Sequence, residues 1–212
     1  MPSKQDDIRS RWGLKSLINV SGTNTVLGAS KVHPEVRAIV DEMMQHSVDI
    51  HELQAKASQV IAKVTGAEAG CVVACVAAGI TEAIAGCMTG ADLGRIEQLP
   101  DTAGLKNEVV VQAGQMVHYG GLVEQNIRLS GAKPVMAGAS TRVMPYQLEA
   151  KITEHTVAAL YVHSHHSVQV GQIPFGLFTR ICHERGVPVI VDLANEQDLQ
   201  GFLKQGADLT LH

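Results

Sequence analysis

Near the C-terminus the chain reads Gly186-Val-Pro-Val-Ile-Val-Asp192, and this stretch limits the possible folds more than any other. Residues 187–191 are short, apolar and largely β-branched, the pattern of a parallel strand buried on both faces. Asp192 closes the run. A carboxylate at the C-terminal end of a central strand stands where open α/β sheets bind their ligands. Taken alone, the same Asp also suits the N-cap of a following helix, a common role for this residue. Residues 197–205 then read as a helix, Gly206 as its stop, and residues 209–211 as a second strand.

The same alternation runs upstream. Expected strands at 70–75, 108–112, 133–136 and 157–162 alternate with expected helices at 77–89, 122–129, 145–152 and 173–185, and residues 90–106 read as a loop. Alternating strands and helices predict an α/β fold: a mainly parallel sheet with helices on both faces. Residues 67–212 would form this domain. Residues 1–66 would supply an N-terminal helix or arm, a first strand at 17–20, a polar loop at 21–30 and two helices. The first of these helices starts at His33-Pro34 and keeps Val36, Ile39, Val40 and Met43 on one face. The second opens on Asp49, with Glu52 placed for a capping box, and continues through Leu53, Ala57, Val60, Ile61 and Val64.

Composition narrows the function classes. With 212 residues, 45% of them hydrophobic, the chain can build a core. A net charge of -4 and the lack of a basic tract disfavour nucleic-acid binding. No apolar run has membrane-spanning length and no signal peptide is visible, so a cytoplasmic protein without membrane contact is expected. Cys71, Cys75, Cys87 and Cys182 lack CxxC or zinc-like spacing. Three of them lie in apolar stretches and are expected to be buried thiols of a reducing compartment.

Four expected strand ends carry the polar groups. They are the small-residue turn Cys75, Val76, Ala77 and Ala78; Gln115 with His118; His163 to Ser167; and Asp192. The C-terminal ends of parallel strands share one edge, so these groups could line one cleft. The turn either exposes helix N-terminal amides to an anion or simply allows tight helix–strand packing, and no GxGxxG or Walker pattern decides between them. His163, His165 and His166 invite a metal reading, that of a histidine-metal hydrolase. Adjacent strand residues face opposite ways, however, and no carboxylate or thiol nearby completes a tetrahedron, so no metal is expected.

With those residues in hand, the sequence resembles the selenocysteine-synthase-like branch of fold-type I pyridoxal 5'-phosphate (PLP) enzymes, in particular the D-glucosaminate-6-phosphate ammonia-lyase type. The resemblance runs through Trp12 to Gly22, Val48-Asp-Ile-His-Glu-Leu53, Thr65-Gly-Ala-Glu-Ala69 and Ala77-Ala78-Gly79. It continues through Gly114-Gln115, Ser130-Gly-Ala-Lys133, His163 to Gln169 and Val189-Ile-Val-Asp192. It implies a PLP-dependent transferase-like large domain. The backbone from Cys75 to Ala78 would hold the cofactor phosphate, and Asp192 would bind the protonated ring nitrogen. Gln115 stands where the family places the group that stacks on the ring, with His118 as the alternative. His165 falls near the ring hydroxyl, with Ser164 and His166 beside it.

The implied activity is that of a lyase, by elimination from a small amino acid or a phosphorylated amino sugar resembling D-glucosaminate 6-phosphate. Arg142, Arg9, Arg11 and Lys15 are candidates for a substrate phosphate. The alternatives are an L-seryl-tRNA selenium transferase-like enzyme, disfavoured because so few residues precede the first expected strand, and a non-catalytic PLP-fold piece that binds a partner subunit. Family members carry a Ser-Gly-x-Lys segment after the strand that follows the Asp, and its lysine makes the Schiff base. Residues 206–212 resemble the lead-in to that segment, and none of the nine lysines stands in its place. The expectation is therefore of a fragment, inactive alone, with a lysine supplied downstream, by another chain, or lost. A homodimer or larger homo-oligomer is expected by the same analogy.

Overall fold

The computed structural model describes residues 7–212. The backbone divides into two units, one ending at Asp49 and the other spanning Ile50–His212. Part of the polar stretch expected as an N-terminal helix or arm, residues 1–6, lies outside the described residues.

In the first unit, α1 (Ile8–Arg11) is one turn, capped by the Asp7 carboxylate accepting from Arg9 N–H. The Arg9 side chain holds that carboxyl below the usual carboxylate range. α2 (Pro34–Met43) starts on a proline, whose missing N–H costs nothing at a helix start. The strand expected at 17–20 does not form. Asn19 instead builds a local turn, accepting from Ser21 N–H and donating to the Gly22 carbonyl, and Ile18 and Val20 stay 90% exposed. Such side chain–backbone bonds compete with strand pairing.

The second unit holds α3 (Ile50–Thr65), α4 (Val76–Thr89), α5 (Leu93–Gln98), β1 (Glu108–Gln112), α6 (Val123–Leu129), β2 (Lys133–Ala137), α7 (Pro145–Glu149), β3 (Thr156–Val162), α8 (Phe175–His183), β4 (Val189–Asp192), α9 (Gly201–Lys204) and β5 (Leu209–Leu211). Its five strands form one sheet in the order β2-β1-β3-β4-β5, and every neighbouring pair is parallel. The α/β architecture expected from the alternation is present.

Strand periodicity sorts the core into two layers. Val109, Val111, Leu160, Val162 and Ile190 pack with Ile80, Ile84 and Met88 of α4 and Ile127 of α6. Val110, Ala159, Val189 and Val191 pack on the other side with Leu148 of α7 and Phe178 and Ile181 of α8. Burying each such valine or isoleucine contributes about 1.5–3 kcal/mol. Helices therefore cover both faces of the sheet.

Three local expectations are corrected. Residues 70–75 are not a strand. They run beside α3, where Gln54 accepts from Val72 N–H and donates to the Val72 carbonyl, and Ser58 Oγ accepts from Gly70 N–H. Helix side chains thus satisfy a segment whose composition suits a sheet. The 90–106 stretch contains α5, started by Asp92 accepting from Arg95 N–H. The helix expected at 197–205 shortens to α9, because the Glu196 and Asp198 carboxylates take the N–H groups of Gln197, Asp198, Gln200 and Gly201.

The cysteines divide differently from the expectation. Cys71 and Cys75 are exposed, Cys87 is half-buried, and only Cys182 is buried among the four. Burial pushes the Cys87 thiol up to about 11 and that of Cys182 to about 12. Neither ionises near neutrality, so both behave as small apolar side chains.

Candidate functional site at the C-terminal edge of the sheet

Asp192 ends β4, between β3 and β5. Val189 and Val191 face α8 and Ile190 faces α4, so the alternation turns Asp192 toward the α4 side. It is only 7% exposed. Its Oδ1 accepts from Ala194 N–H at 3.1 Å, and among the described residues no cation reaches it. Burial raises its pKa, and the Ala194 bond opposes that rise in part. This is a buried carboxylate in need of a positive partner.

The turn into α4 lies close by. Asp192 is in register with Leu211 of β5, and a Cβ built on Gly79 would sit 3.2 Å from the Leu211 side chain. Gly79 is one turn into α4, so its smallness lets the helix start come down onto this end of the sheet. No side chain caps that start: Cys75 occupies the N-cap without a side-chain hydrogen bond. The leading amides of Val76, Ala77 and Ala78 are therefore left for an outside acceptor, and the macrodipole of this 14-residue helix favours an anion there.

The loop after β1 supplies Gln115, in a 3-10 turn spanning Ala113–Gln115. Gln115 is 2% exposed, and its Oε1 accepts from Val162 N–H at 3.1 Å, which pins the end of β3. Gln112 does the same for the approach to α8: its Oε1 accepts from Ile173 N–H and its Nε2 donates to the Ile173 carbonyl. His118 lies further along the first loop, exposed, with Nδ1 accepting from Gly120 N–H at 3.2 Å.

The loop after β3 sorts its histidines. His163 lies 3.5 Å from the Glu196 carboxylate, and its ring packs 5.0 Å from Phe202, which rests on the α8-side core. It therefore faces away from Asp192. His165 Nδ1 lies 2.9 Å from Asn195 Nδ2, and the His166 ring lies beside the His165 ring, tilted, at a centroid distance of 4.0 Å. Ser164 is half-buried, its Oγ accepting from His166 N–H. Among the described residues no cluster of three or more His, Cys, Asp or Glu could hold a metal. Arg142 is exposed in the loop after β2, while Arg9, Arg11 and Lys15 belong to the first unit. Asn195 and Glu196 were not singled out in the sequence. The signal for them is register: Asp192 pairs with Val162, so residues just past Asp192 run beside the histidine loop.

A five-stranded parallel sheet covered on both faces by helices is the large-domain fold of PLP-dependent transferase-like enzymes. A PLP-dependent protein of Escherichia coli shares it at a TM-score of 0.51 over 74% of this chain and 38% of its own, with 15% identity. No family model matches the chain.

Within that fold the chain resembles D-glucosaminate-6-phosphate ammonia-lyase and the selenocysteine-synthase-like branch. It is 39% identical over 206 residues to the Salmonella typhimurium ammonia-lyase, covering 97% of this chain and 56% of that one. A solved structure of a D-glucosaminate-6-phosphate ammonia-lyase superposes with a TM-score of 0.93 at 39% identity, over 96% of this chain and 55% of that one. A 5'-C-glycyluridine monooxygenase-decarboxylase from Streptomyces is 33% identical, over 94% of this chain and 51% of its own. An L-seryl-tRNA(Sec) selenium transferase of Nitratidesulfovibrio vulgaris is 30% identical, over 88% of this chain and 40% of its own. The chain spans about half the length of the relatives it matches.

Proposed function

We propose that this chain is the cofactor-binding part of a PLP-dependent lyase that eliminates ammonia from a small amine, with a phosphorylated amino sugar resembling D-glucosaminate 6-phosphate as substrate. The observation that carries the reading is Asp192: a buried carboxylate that no cation reaches among the described residues, beside a helix start with no side-chain cap. A phosphorylated pyridinium offers the two complementary charges, a cationic ring nitrogen and a dianionic phosphate. The donor set therefore fits PLP.

When bound, PLP supplies the electron sink that lets a bond at the substrate's Cα break. The chain's own residues would prepare that step. The Asp192 carboxylate holds the proton on the ring nitrogen, and burial strengthens the pair by excluding water. The Val76, Ala77 and Ala78 amides bind the phosphate and fix the ring's position along the sheet edge. His165 orients the ring hydroxyl, with Ser164 and His166 beside it. Gln115 is engaged with Val162 and buried, which supports His118 as the group covering the ring face. Arg142, on the same edge, is the candidate for a substrate phosphate.

The exposed apolar residues of α3 support assembly into a homo-oligomer: Leu53 is 42%, Val60 63% and Val64 50% exposed. No helix among the described residues is long and apolar enough to cross a membrane, and a cytoplasmic location is part of the same proposal. The selenium transferase similarity supports a second reading, a transferase acting on seryl-tRNA.

Titration with PLP, followed by its visible absorption, tests the cofactor. A saturable change that inorganic phosphate competes away is expected, and no change overturns the reading. In the full-length enzyme, Asp192→Ala should lower turnover of D-glucosaminate 6-phosphate by well over tenfold while PLP still binds. Turnover within about tenfold of wild type would remove the ring-nitrogen role.

A further inference from the structure

The loops after β3 and β4 are joined side chain to side chain. Val162 and Asp192 are in register, and His163 N–H continues the ladder to the Asp192 carbonyl at 3.0 Å. Three residues beyond each partner come His165 and Asn195, whose side chains meet at 2.9 Å. His163 and Glu196 make a second link, at 3.5 Å. Asn195 is itself placed by Asp192, whose Oδ1 takes Ala194 N–H and turns the backbone, and by Glu196 N–H donating to the Leu193 carbonyl.

We propose that Asn195 is a positioning residue that fixes the tautomer of His165. The side-chain amide nitrogen of Asn can only donate, so the Nδ1 it faces must accept. A neutral imidazole that accepts at Nδ1 carries its proton at Nε2. His165 therefore presents an N–H, and not a lone pair, from its outer nitrogen. The His166 ring lies beside that of His165, tilted, with centroids 4.0 Å apart. An Nε2 donor is the form that can hydrogen-bond a phenolate-type oxygen, so the assignment deepens the reading of His165 as the partner of the cofactor's ring hydroxyl, and rests on it. One turn then serves both ends of the ring: the carboxylate of Asp192 that would face the nitrogen also sets the backbone that places Asn195.

The test is nitrogen-15 NMR of histidine-labelled protein, at a pH where His165 is neutral, with His165 assigned by its loss in His165→Gln. Wild type should show protonated Nε2 and bare Nδ1. Asn195→Asp replaces the donor with an acceptor and should move the proton to Nδ1. Asn195→Ala should leave a mixture, and His163→Gln, which breaks only the neighbouring link, should leave the wild-type tautomer. Protonated Nδ1 in wild type, or an Asn195→Asp spectrum unchanged from wild type, overturns the proposal. PLP is then added as a separate arm. Asn195→Asp should weaken its binding by about fivefold, the loss of one hydrogen bond. The correct tautomer with no PLP-induced change at His165 would retain the role of Asn195 in setting the proton and reject the ring-hydroxyl reading instead.

Discussion

Asp192 decides most at the scale of single residues. Its folded pKa is raised, so its carboxyl contributes stability below the ordinary carboxylate pKa of about 4 and loses it as pH rises through the folded value. Above that range the buried group costs stability in the cofactor-free protein, because burial disfavours its charged form. Asn keeps the acceptor for Ala194 N–H and carries no charge. Asp192→Asn should therefore melt at a higher temperature than wild type at pH 7 without PLP, and the gap should close as pH falls toward 4. With PLP the order should reverse, since only the carboxylate pairs with the ring nitrogen. Thermal denaturation across pH, with and without PLP, reads both signs; a variant less stable than wild type at every pH would show that Asp192 is already compensated. The sequence located this residue because an apolar run ending in Asp is a strong local pattern. It did not locate Asn195, because nothing local distinguishes that amide from any other loop Asn. Nor did it show that Gln115 is buried and engaged with Val162, which depends on a contact between the loop after β1 and the end of β3, far apart in the chain.

Among the elements, the sheet strands from β1 onward were legible, since continuous Val/Ile runs between turn residues leave little choice. Where an expected strand or helix fails to form, at 17–20, 70–75 and 197–200, side chains take the backbone bonds that a strand or helix partner would. Residues 70–75 carry strand-like composition, yet their backbone bonds go to Gln54 and Ser58 of α3. If the start of α4 holds a phosphate as proposed, this support bears on function too, because the segment ends at Cys75, the N-cap of α4. Gln54→Ala removes both bonds to Val72, each worth about 1 kcal/mol. Hydrogen exchange at Val72 should accelerate by roughly tenfold while β1 and β3 amides keep their protection. PLP should bind more weakly to the variant, because a looser approach raises the entropy lost on fixing the phosphate site. Unchanged exchange at Val72 would show that packing, and not Gln54, holds the segment.

For the whole molecule, the sheet's two ends divide the labour. At the end away from Asp192, Asp208 Oδ2 accepts from Val189 N–H at 2.7 Å and lies 2.8 Å from His183 Nε2, so its polar groups tie β4 to the end of α8. At the other end the start of α4 has no side-chain cap, and among the described residues the Asp192 carboxylate meets only the Ala194 N–H, which supports the proposal that ligand chemistry belongs there. The charge of the whole chain then bears on which ligand. A tRNA complex needs Lys and Arg side chains against phosphates, with affinity that falls steeply with salt. This chain carries 17 Lys and Arg against 21 Asp and Glu, a net charge of -4. A single phosphate needs only the α4 amides and one cation, which the edge can offer. Filter binding at about 0.15 M salt should therefore show no tRNA complex tighter than about 10⁻⁴ M, the weak limit of non-specific contact. Under the same conditions PLP should compete with inorganic phosphate for one saturable site. A salt-dependent tRNA complex of micromolar strength would transfer the assignment from an amino-sugar lyase to the seryl-tRNA reading.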